Sequence, residues 1–283
     1  MTVLIIGASG FLGTELVRQA RAAGQATSAT FNSHPGDPAS ATWHQLDLRD
    51  ARRLDEVLDA VTPTAVINAS SGDADWAVTA DGSLRLTMAA ASRGIRLVHV
   101  SSDAIFSGAD VHYAETALPD PVTPYGAAKA ASETAVRLLH PGAAVARTSL
   151  IIGDGGSAHE RIVHELATGT REGALFTDDI RCPVHVADLA AALWELALSN
   201  ATGVFHLAGP DAVSRFTLGV LVARRDGLDP ALLPAGRRED SSLPGALDVR
   251  LDSHATQRQL SIRLRGVREF LFSGSHSAAP RRA

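Results

Sequence analysis

Short apolar runs alternate along the chain with longer stretches of helical periodicity. The first run, "VLII" at residues 3–6, ends in glycines and precedes a stretch with apolar residues on one face. Continuous apolar runs of this length are typical of strands buried on both faces of a parallel sheet. Further strands are predicted at "ATSATF", "TWHQLDL", "AVINAS", "RLVHVSS" and "AAVARTSLII", with helices between them at 51–60, 79–93 and 126–139.

This alternation predicts an α/β fold, specifically a doubly wound parallel sheet of the Rossmann type. It becomes less regular after about residue 152, where "GDGGSAH" introduces a glycine-rich loop. We therefore expect a dinucleotide-binding domain over residues 1–151 and a smaller, mostly substrate-capping region over 152–272. The last residues, 273–283, have no apolar periodicity and are expected to be disordered.

Composition narrows the class of protein. The chain has 283 residues, 45% of them hydrophobic, a formal charge of −5 and no basic stripe, which argues against a nucleic-acid partner. Its apolar runs are too short to span a membrane, and its start lacks a signal-peptide pattern. The single cysteine, Cys182, excludes an internal disulfide and a multi-cysteine metal site. We expect a cytoplasmic protein without a bound metal, and a homodimer is an assembly that the sequence leaves open.

A glycine-rich turn follows the first predicted strand. In "GASGFLG", glycines at 7, 10 and 13 lie between this strand and a helix. Such glycines allow a tight turn, close approach of the backbone to a pyrophosphate, and close packing of the helix on the sheet. The helix N-terminus also offers N–H groups to phosphates. A dinucleotide site is therefore predicted, in preference to a turn without a ligand, and its residues here are Gly7, Ser9, Gly10, Phe11, Leu12 and Gly13.

The ends of later strands should complete the cofactor site. The second strand ends in "TFNSH", which has no acid for the ribose hydroxyls of NAD and no arginine for a 2'-phosphate. Because the small polar side chains there would tolerate that phosphate, we expect NADP(H) in preference to NAD(H), with use of both left open. The expected contacts are Asn32, Ser33, Asp47 near the adenine, Leu48, and Ala69, Ser70 and Ser71 along the ribose and phosphates.

The only lysine of the chain, Lys129, follows Tyr125 by four residues in "PYGAAKA", although Lys and Arg together number 26. Side chains four residues apart lie on the same face of a helix. A nearby ammonium favours the phenolate, so we expect Lys129 to lower the pKa of Tyr125 and allow acid–base chemistry. The same ammonium could hydrogen-bond a ribose, and arginine is too broad for both tasks.

A third candidate group lies in "VHVSSDAIFSG", where a predicted strand ends in two serines. Successive residues of a strand point to opposite faces, so only one of Ser101 and Ser102 can readily face a nicotinamide. We expect that serine to hold the carbonyl group of a keto substrate.

Together these motifs resemble the extended short-chain dehydrogenases/reductases, and within them the branch of dTDP-4-dehydrorhamnose reductases. The S-[ST]-D-x-x-F-x-G stretch of that branch is matched by Ser101 to Gly108, and its Y-G-x-x-K helix by Tyr125 to Lys129. Its R-T-S strand is matched by Arg147 to Ser149. The similarity extends more weakly through "CPVHVADLAAAL" and "GVFHLAG", so it covers most of the chain.

The resemblance implies an NAD(P)H-dependent reductase of a keto group on a sugar or nucleotide-linked sugar. It assigns Ser102, Tyr125 and Lys129 as catalytic and puts Asp103 near the substrate. The chain departs from the branch at Leu150, where a tryptophan near the sugar is usual, and at Thr79, where many extended members have asparagine. Two arginines, Arg181 and Arg250, are candidates to hold a diphosphate.

Two other functions remain open. An epimerase or dehydratase could use the same scaffold, although no further acid–base pair is evident for either. The regulatory subunit of methionine adenosyltransferase resembles the same branch and acts by binding a partner. The complete Ser-Tyr-Lys set favours an enzyme over such a binding protein.

Overall fold

The computed structural model describes residues 1–242 and 244–272, so the disorder expected for 273–283 lies outside the described residues. Seven parallel strands form the central sheet, in the order β7-β6-β5-β4-β1-β2-β3. The strands are β1 (Val3–Ile6), β2 (Thr27–Phe31), β3 (Thr42–Gln45), β4 (Ala65–Asn68), β5 (Arg96–Ser102), β6 (Ala144–Thr148) and β7 (Gly203–Leu207).

Helices connect and cover these strands. The α-helices are α1 (Phe11–Ala22), α2 (Ala51–Val61), α3 (Ser83–Ser92), α4 (Pro124–Leu139), α5 (Ala158–Ala167), α6 (Val186–Leu198), α7 (Arg215–Arg225), α8 (His254–Gln257) and α9 (Val267–Phe272). A π-helical turn, Ala77–Gly82, leads into α3, and 3₁₀ turns lie at Asp103–Ile105 and Pro230–Leu232. Within the described part of the chain, no helix is both long and apolar enough to cross a membrane.

The strand order creates a crevice at one edge of the sheet. The chain runs outward from β1 to β2 and β3, then returns to place β4 on the other side of β1. At such a switch point the connections leave in opposite directions, and ligands bind outside the carboxyl ends of the strands. The doubly wound parallel sheet predicted from the sequence is therefore confirmed.

Two apolar layers cover the sheet and explain its continuous hydrophobic strands. One layer packs α1 and α6 against one face, and the other packs α2, α3 and α4 against the opposite face. All four residues of β1 are buried, and alternate residues of this strand belong to the two layers. Burial on both faces is the reason that the strand lacks polar alternation.

The division expected at residue 151 is not a clean boundary in the structure. Strand β7 lies beside β6 in the central sheet, and α6 packs against α1 in the same core. Residues 186–207 therefore complete the central sheet and one of its helical layers, although they follow the loop that was expected to end the first domain. The sequence pattern could not reveal this, because a strand that joins a distant edge has the same local periodicity as one in a separate domain.

The remaining C-terminal segments form a smaller layer with its own core. Helices α5, α7 and α9 enclose apolar side chains that include Ile152, Val163 and Leu221. Pairs of two-residue strands tie this layer together and to the sheet: Ile151–Ile152 with Val184–His185, Leu175–Phe176 with Ala235–Gly236, Ile180–Arg181 with Val213–Ser214, and His112–Tyr113 with Arg250–Leu251.

A buried ion pair fixes α4 to the sheet. Glu133 of α4 and Arg147 of β6 are both fully buried, and the guanidinium makes two hydrogen bonds to the carboxylate, at 3.0 and 2.5 Å. Arg147 also donates to the carbonyls of Glu115 and Ala117. The pair therefore holds together a helix, a strand and the loop before α4.

Removing the charge of Glu133 should strongly destabilise the fold. Glu133→Gln leaves the Arg147 guanidinium buried without a counter-charge, which typically costs about 3–5 kcal/mol of unfolding free energy. Urea denaturation of the variant should show this loss. Glu56→Gln, in the exposed pair with Arg52, is the matched control and should change stability little. Equal stability of the two variants would contradict the structural role of the buried pair.

Candidate active site

The glycine turn after β1 has the geometry of a phosphate-binding turn. Gly7 has φ +78°, and a Cβ atom added there would lie 2.8 Å from the Cα of Ser70. A Cβ atom on Gly13 would lie 2.3 Å from the carbonyl oxygen of Gly7, so this glycine allows α1 to pack against the turn. At Gly10 an added Cβ would meet only that oxygen, at 3.3 Å, and the residue is exposed at the start of α1. Gly10 thus leaves an open approach to the helix N-terminus.

A cleft of about 550 Å³ opens at this turn, at the carboxyl ends of β1, β2 and β4. Most residues predicted to contact the cofactor line it: Gly7, Ser9, Gly10, Phe11, Asn32, Asp47, Leu48, Ala69, Ser70 and Ser71. Five do not. Leu12 is buried in the apolar core, Gly13 serves the packing of α1, and Ser33 is exposed outside the lining. Tyr125 and Lys129, both on α4, also lie outside the lining.

Arg49 lines the same cleft. It was not predicted from the sequence, because an arginine that binds a 2'-phosphate is expected at the end of β2, and Arg49 follows β3. It follows Asp47 after β3, and its guanidinium hydrogen-bonds Asp47 at 3.0 Å and also pairs with Asp75. The neighbouring position in "DLRD" was visible in the sequence. The contact between Arg49 and Asp75, which follows β4, could be known only from the order of the strands in the sheet.

Helix α4 brings Tyr125 to the end of β5 by a close approach of backbones. Thr123 caps the helix by accepting a hydrogen bond from the N–H of Gly126. A Cβ atom on Gly126 would lie 2.0 Å from the carbonyl oxygen of Ala104, in the 3₁₀ turn after β5. The glycine in "YG" is therefore needed for α4 to lie against this turn, which begins directly after Ser102.

The ammonium group of Lys129 is buried behind the cleft. The side chain is only 3% exposed, and its Nζ atom donates to the carbonyl oxygens of Val100, at 3.1 Å, and Ser70, at 3.4 Å. Burial lowers the pKa of Lys129 to about 8, and the carboxylate of Asp73 opposes that change. At neutral pH the group is therefore largely charged and is fixed between β5 and the residues after β4.

The structure contradicts the expectation that the pKa of Tyr125 is lowered. Its pKa is raised above the ordinary value, chiefly by burial, while the hydroxyls of Ser102 and Ser71 act in the opposite direction. The predicted lowering of this pKa by Lys129 is wrong for this structure, because burial is the first cause of the change and the ammonium is not among the groups that shift this pKa. A protonated phenol is suited to donate a proton, rather than to accept one, at neutral pH.

The structure separates the two serines at the end of β5. Ser101 is buried and donates to Glu133 at 3.1 Å, on the side of the ion pair. Ser102 lies on the side of Tyr125, and its hydroxyl also accepts a hydrogen bond from the N–H of Ala104. It thus combines the position expected of a substrate-binding serine with the structural task of capping a turn.

Asp103 lies in a buried polar cluster next to Ser102. It accepts a hydrogen bond of 2.6 Å from Ser149, and the Nε atom of Arg181 lies 3.7 Å from its carboxylate. Burial is the first cause of its raised pKa, with Arg181 and Ser149 opposing it. The proximity of Asp103 to a substrate stays a prediction.

Three residues expected at the substrate have other surroundings. Arg181 is buried, its donors are taken by the carbonyls of Ile180, Leu247 and Ala246, and its charge is paired with Asp179, which leaves little for a diphosphate. Arg250 makes two hydrogen bonds to Asp248 and lines a different cavity. Leu150 is packed in the core of the C-terminal layer, so its side chain does not offer an accessible surface to a sugar in place of the expected tryptophan.

A second group of charged residues, also missed by the sequence analysis, continues from this cluster. Asp179 is fully buried and pairs with Arg215 and Arg238 as well as with Arg181. Arg215 and Arg238 line a cavity of about 470 Å³ in the C-terminal layer, and Arg238 lies 4.8 Å over the ring of Phe176. These residues are far apart in the sequence, and no sequence pattern predicted that they are in contact.

A switch-point cleft with a glycine turn, next to a tyrosine, a serine and a buried lysine, defines an oxidoreductase of the extended short-chain dehydrogenase/reductase class. Comparison with known proteins narrows this class. The chain belongs to the family described as the RmlD substrate binding domain, which matches residues 1–271. No cluster of His, Cys, Asp and Glu suited to hold a metal is present in residues 1–242 and 244–272.

One relative supports this family assignment by sequence, and two solved structures share the fold. The dTDP-4-dehydrorhamnose reductase of Mycobacterium tuberculosis (strain H37Rv) is 36% identical over 242 residues, which cover 81% of this chain and 76% of the relative. The solved structure of dTDP-4-dehydrorhamnose reductase from Bacillus anthracis in complex with NADP has a TM-score of 0.79 at 21% identity, over 96% of this chain and 97% of the other. The Bordetella bronchiseptica enzyme WbmG in complex with NAD has a TM-score of 0.80 at 20% identity, over 98% and 94%.

Proposed function

We propose that this protein uses a reduced nicotinamide dinucleotide to reduce a keto group on a nucleotide-linked sugar. The observation that carries the proposal is the convergence of Ser102 and Tyr125 beside the glycine-lined cleft, with the ammonium of Lys129 buried behind it. The family assignment supports the same reaction, since relatives in it are named as reductases of dTDP-linked keto sugars.

Each of the three residues has a distinct part in this reaction. When bound, the reduced nicotinamide supplies hydride to the carbonyl carbon of the substrate. Tyr125, held protonated by its burial, donates a proton to the oxygen that becomes an alkoxide. Ser102 donates a hydrogen bond to that oxygen and orients it. Lys129 places a positive charge beside the ribose and behind the reacting groups.

The cleft around the glycine turn fits a dinucleotide. Gly7 and Gly10 leave room for a pyrophosphate at the N-terminus of α1, and Asn32, Asp47 and Leu48 line the part expected to take the adenosine. We propose NADP(H) as the preferred form, because no acid follows β2 and Arg49 adds a positive charge to the cleft. The pairing of Arg49 with two aspartates makes this preference modest.

The polar groups beyond Ser102 fit a sugar that carries a diphosphate. Asp103, supported by Ser149, offers a carboxylate for sugar hydroxyls. Arg215 and Arg238 also pair with Asp179, but they line the cavity in the C-terminal layer and Arg181 and Arg250 do not. They are therefore the better diphosphate candidates. Guanidinium groups bind phosphates through directed pairs of hydrogen bonds.

The regulatory alternative and the epimerase or dehydratase alternative are less well supported. A protein that acts only by binding a partner has no need of a buried lysine and a protonated tyrosine at the end of β5. An epimerase or dehydratase needs a further acid–base group, and the charged residues nearest Ser102 are tied in ion pairs. The cytoplasmic location expected from the sequence stays a prediction, and so does the homodimer that the sequence leaves open.

A steady-state assay tests the proposed reaction. The purified full chain should oxidise NADPH in the presence of dTDP-4-dehydrorhamnose, and less efficiently oxidise NADH. Clearly better use of NADH would reverse the cofactor preference and leave the reaction intact. Binding of cofactor without turnover of any keto sugar would favour the regulatory alternative.

Two glycines of the turn should respond differently to substitution. Gly10→Val should fold, because an added Cβ lies 3.3 Å from the nearest atom, yet its side chain would occupy the pyrophosphate path. We expect it to lose the increase in melting temperature that NADPH gives the parent protein. Gly13→Val should instead fail to fold stably, since its Cβ would lie 2.3 Å from backbone. An unchanged NADPH effect in Gly10→Val would contradict the placement of the cofactor.

Raising the pH should separate cofactor affinity from stability. The pKa of Lys129 is about 8 in the folded protein and about 10.5 when unperturbed, so between these values the unfolded chain keeps a proton that the folded protein has released. This group therefore contributes increasing stability as the pH rises through that window. Loss of the ammonium should, over the same range, weaken NADPH binding. Both trends should be absent in Lys129→Met, and equal pH dependence in parent and variant would assign them to other groups.

A further inference from the structure

Hydrogen bonds between polar groups form a closed ring that includes Lys129. Asn68 at the end of β4, His99 in β5 and Ser132 in α4 are each at most 1% exposed. They connect Ser70, whose carbonyl oxygen accepts from the ammonium, to the backbone of Lys129 itself. None of these three side chains reaches the cleft, and the proposed reaction does not use them directly.

One end of the ring has a fixed direction because a backbone N–H can only donate. The N–H and the hydroxyl of Ser70 lie 3.2 and 2.6 Å from Oδ1 of Asn68. This makes Oδ1 the acceptor and turns Nδ2 of Asn68 toward Nδ1 of His99, 3.2 Å away. An amide nitrogen only donates, so Nδ1 of His99 must accept and carry no proton.

At the other end of the ring the hydrogen bonds run in the same direction, and a carbonyl group, which can only accept, fixes that direction independently. The hydroxyl of Ser132 donates to the carbonyl oxygen of Lys129 at 2.8 Å. Its oxygen lies 3.1 Å from Nε2 of His99, and with its own proton already used it accepts from that nitrogen. Burial and the nearby ammonium lower the pKa of His99 to about 3, so the imidazole stays neutral with its proton on Nε2.

We propose that His99, as the neutral Nε2–H tautomer, is a positioning residue that fixes Lys129 from both of its ends. Through Asn68 it holds Ser70, which both accepts from the ammonium and lines the cofactor cleft. Through Ser132 it holds the helix turn from which the Lys129 side chain starts. The imidazole accepts at one ring nitrogen and donates at the other, and it thereby links Asn68 at the end of β4 to Ser132 in α4.

This proposal rests on the proposed function only in treating Lys129 as a cofactor-binding group. His99→Phe keeps a flat ring but removes the acceptor for Nδ2 of Asn68 and the donor to the Ser132 hydroxyl. Asn68 Nδ2 is then left with only its 3.4 Å contact to Ser83. We expect the dissociation constant for NADPH to rise about tenfold, the size of effect typical of an unsatisfied buried group. Ser132→Ala removes a smaller group and cuts the same link, so it should weaken binding in the same direction.

His206→Phe is the matched control, because His206 is also a buried histidine in a strand of the sheet. Its ring nitrogens contact Arg147 and the carbonyl of Asp252, and neither group contacts Lys129. The control should lose stability while its NADPH affinity stays within about twofold of the parent value, which separates positioning from a general effect of losing a buried histidine.

Nitrogen-15 NMR of the histidine side chains of the full chain gives a second readout. We expect a slowly exchanging Nε2–H for His99 and no change of its tautomer between pH 6 and 9, a range chosen above its low pKa. A proton on Nδ1, or NADPH affinity unchanged in both His99→Phe and Ser132→Ala, would overturn the proposal. Weakened NADPH binding in a protein that reduces no keto sugar would instead sustain the positioning role and reject the proposed function.

Discussion

Tyr125→Phe should reduce turnover of the keto substrate by at least about a hundredfold, within the range of about 10²–10⁴ typical of general acid catalysis. The substitution removes only the phenolic hydroxyl, which is buried beside Ser102 and Ser71 and held protonated by that burial. The ring itself keeps its volume, so α4 should still lie against the turn after β5. The affinity for NADPH should stay nearly unchanged, because the glycine turn and Lys129 remain.

The measurement is steady-state reduction together with a separate determination of the NADPH dissociation constant. Ser102→Ala is a useful companion, since it removes the hydrogen bond to the substrate but leaves the proton donor. It should lose less turnover than Tyr125→Phe. Parent-like turnover in Tyr125→Phe would require another proton donor and would disprove the assignment.

Lys129→Arg should fail in both chemistry and cofactor binding although it preserves the positive charge. The ammonium occupies a site that is only 3% exposed, between the carbonyl oxygens of Val100 and Ser70. A guanidinium is planar, wider and carries its charge over three nitrogens, so it cannot make the same contacts without displacing β5 or Ser70. We expect a loss of turnover of about a hundredfold or more, accompanied by weaker NADPH binding.

Lys129→Met distinguishes charge from shape at the same position. It removes the cost of burying an ammonium, so the variant should fold at least as stably as the parent at pH 7 while losing activity. Such a result would identify Lys129 as a residue kept for function at a cost in stability. Full activity in Lys129→Arg would show that any buried cation suffices and would leave the presence of a single lysine unexplained.

Much of the fold could be predicted because its signals are local. The all-apolar β1, the glycine turn and the periodic helices record how each segment is buried, and neighbouring residues are enough to show it. The same holds for Tyr125 and Lys129, whose spacing of four residues fixes them to one face of one helix. The choice between Ser101 and Ser102 needed the family resemblance, since strand alternation alone shows that they diverge.

The sequence by itself thus determined the class of fold, the location of the glycine turn and the choice of candidate catalytic residues. Only the tertiary structure decided that β7 and α6 return to the central sheet, that Leu150 and Arg181 are buried, and that Arg49, Arg215 and Arg238 face cavities. It also decided that the Lys129 ammonium donates to backbone carbonyls while Tyr125 keeps its proton. The physical reason is the range of the interactions: periodicity and turn chemistry act between near neighbours, whereas the partners and the burial of a charged group depend on elements brought together from distant parts of the chain.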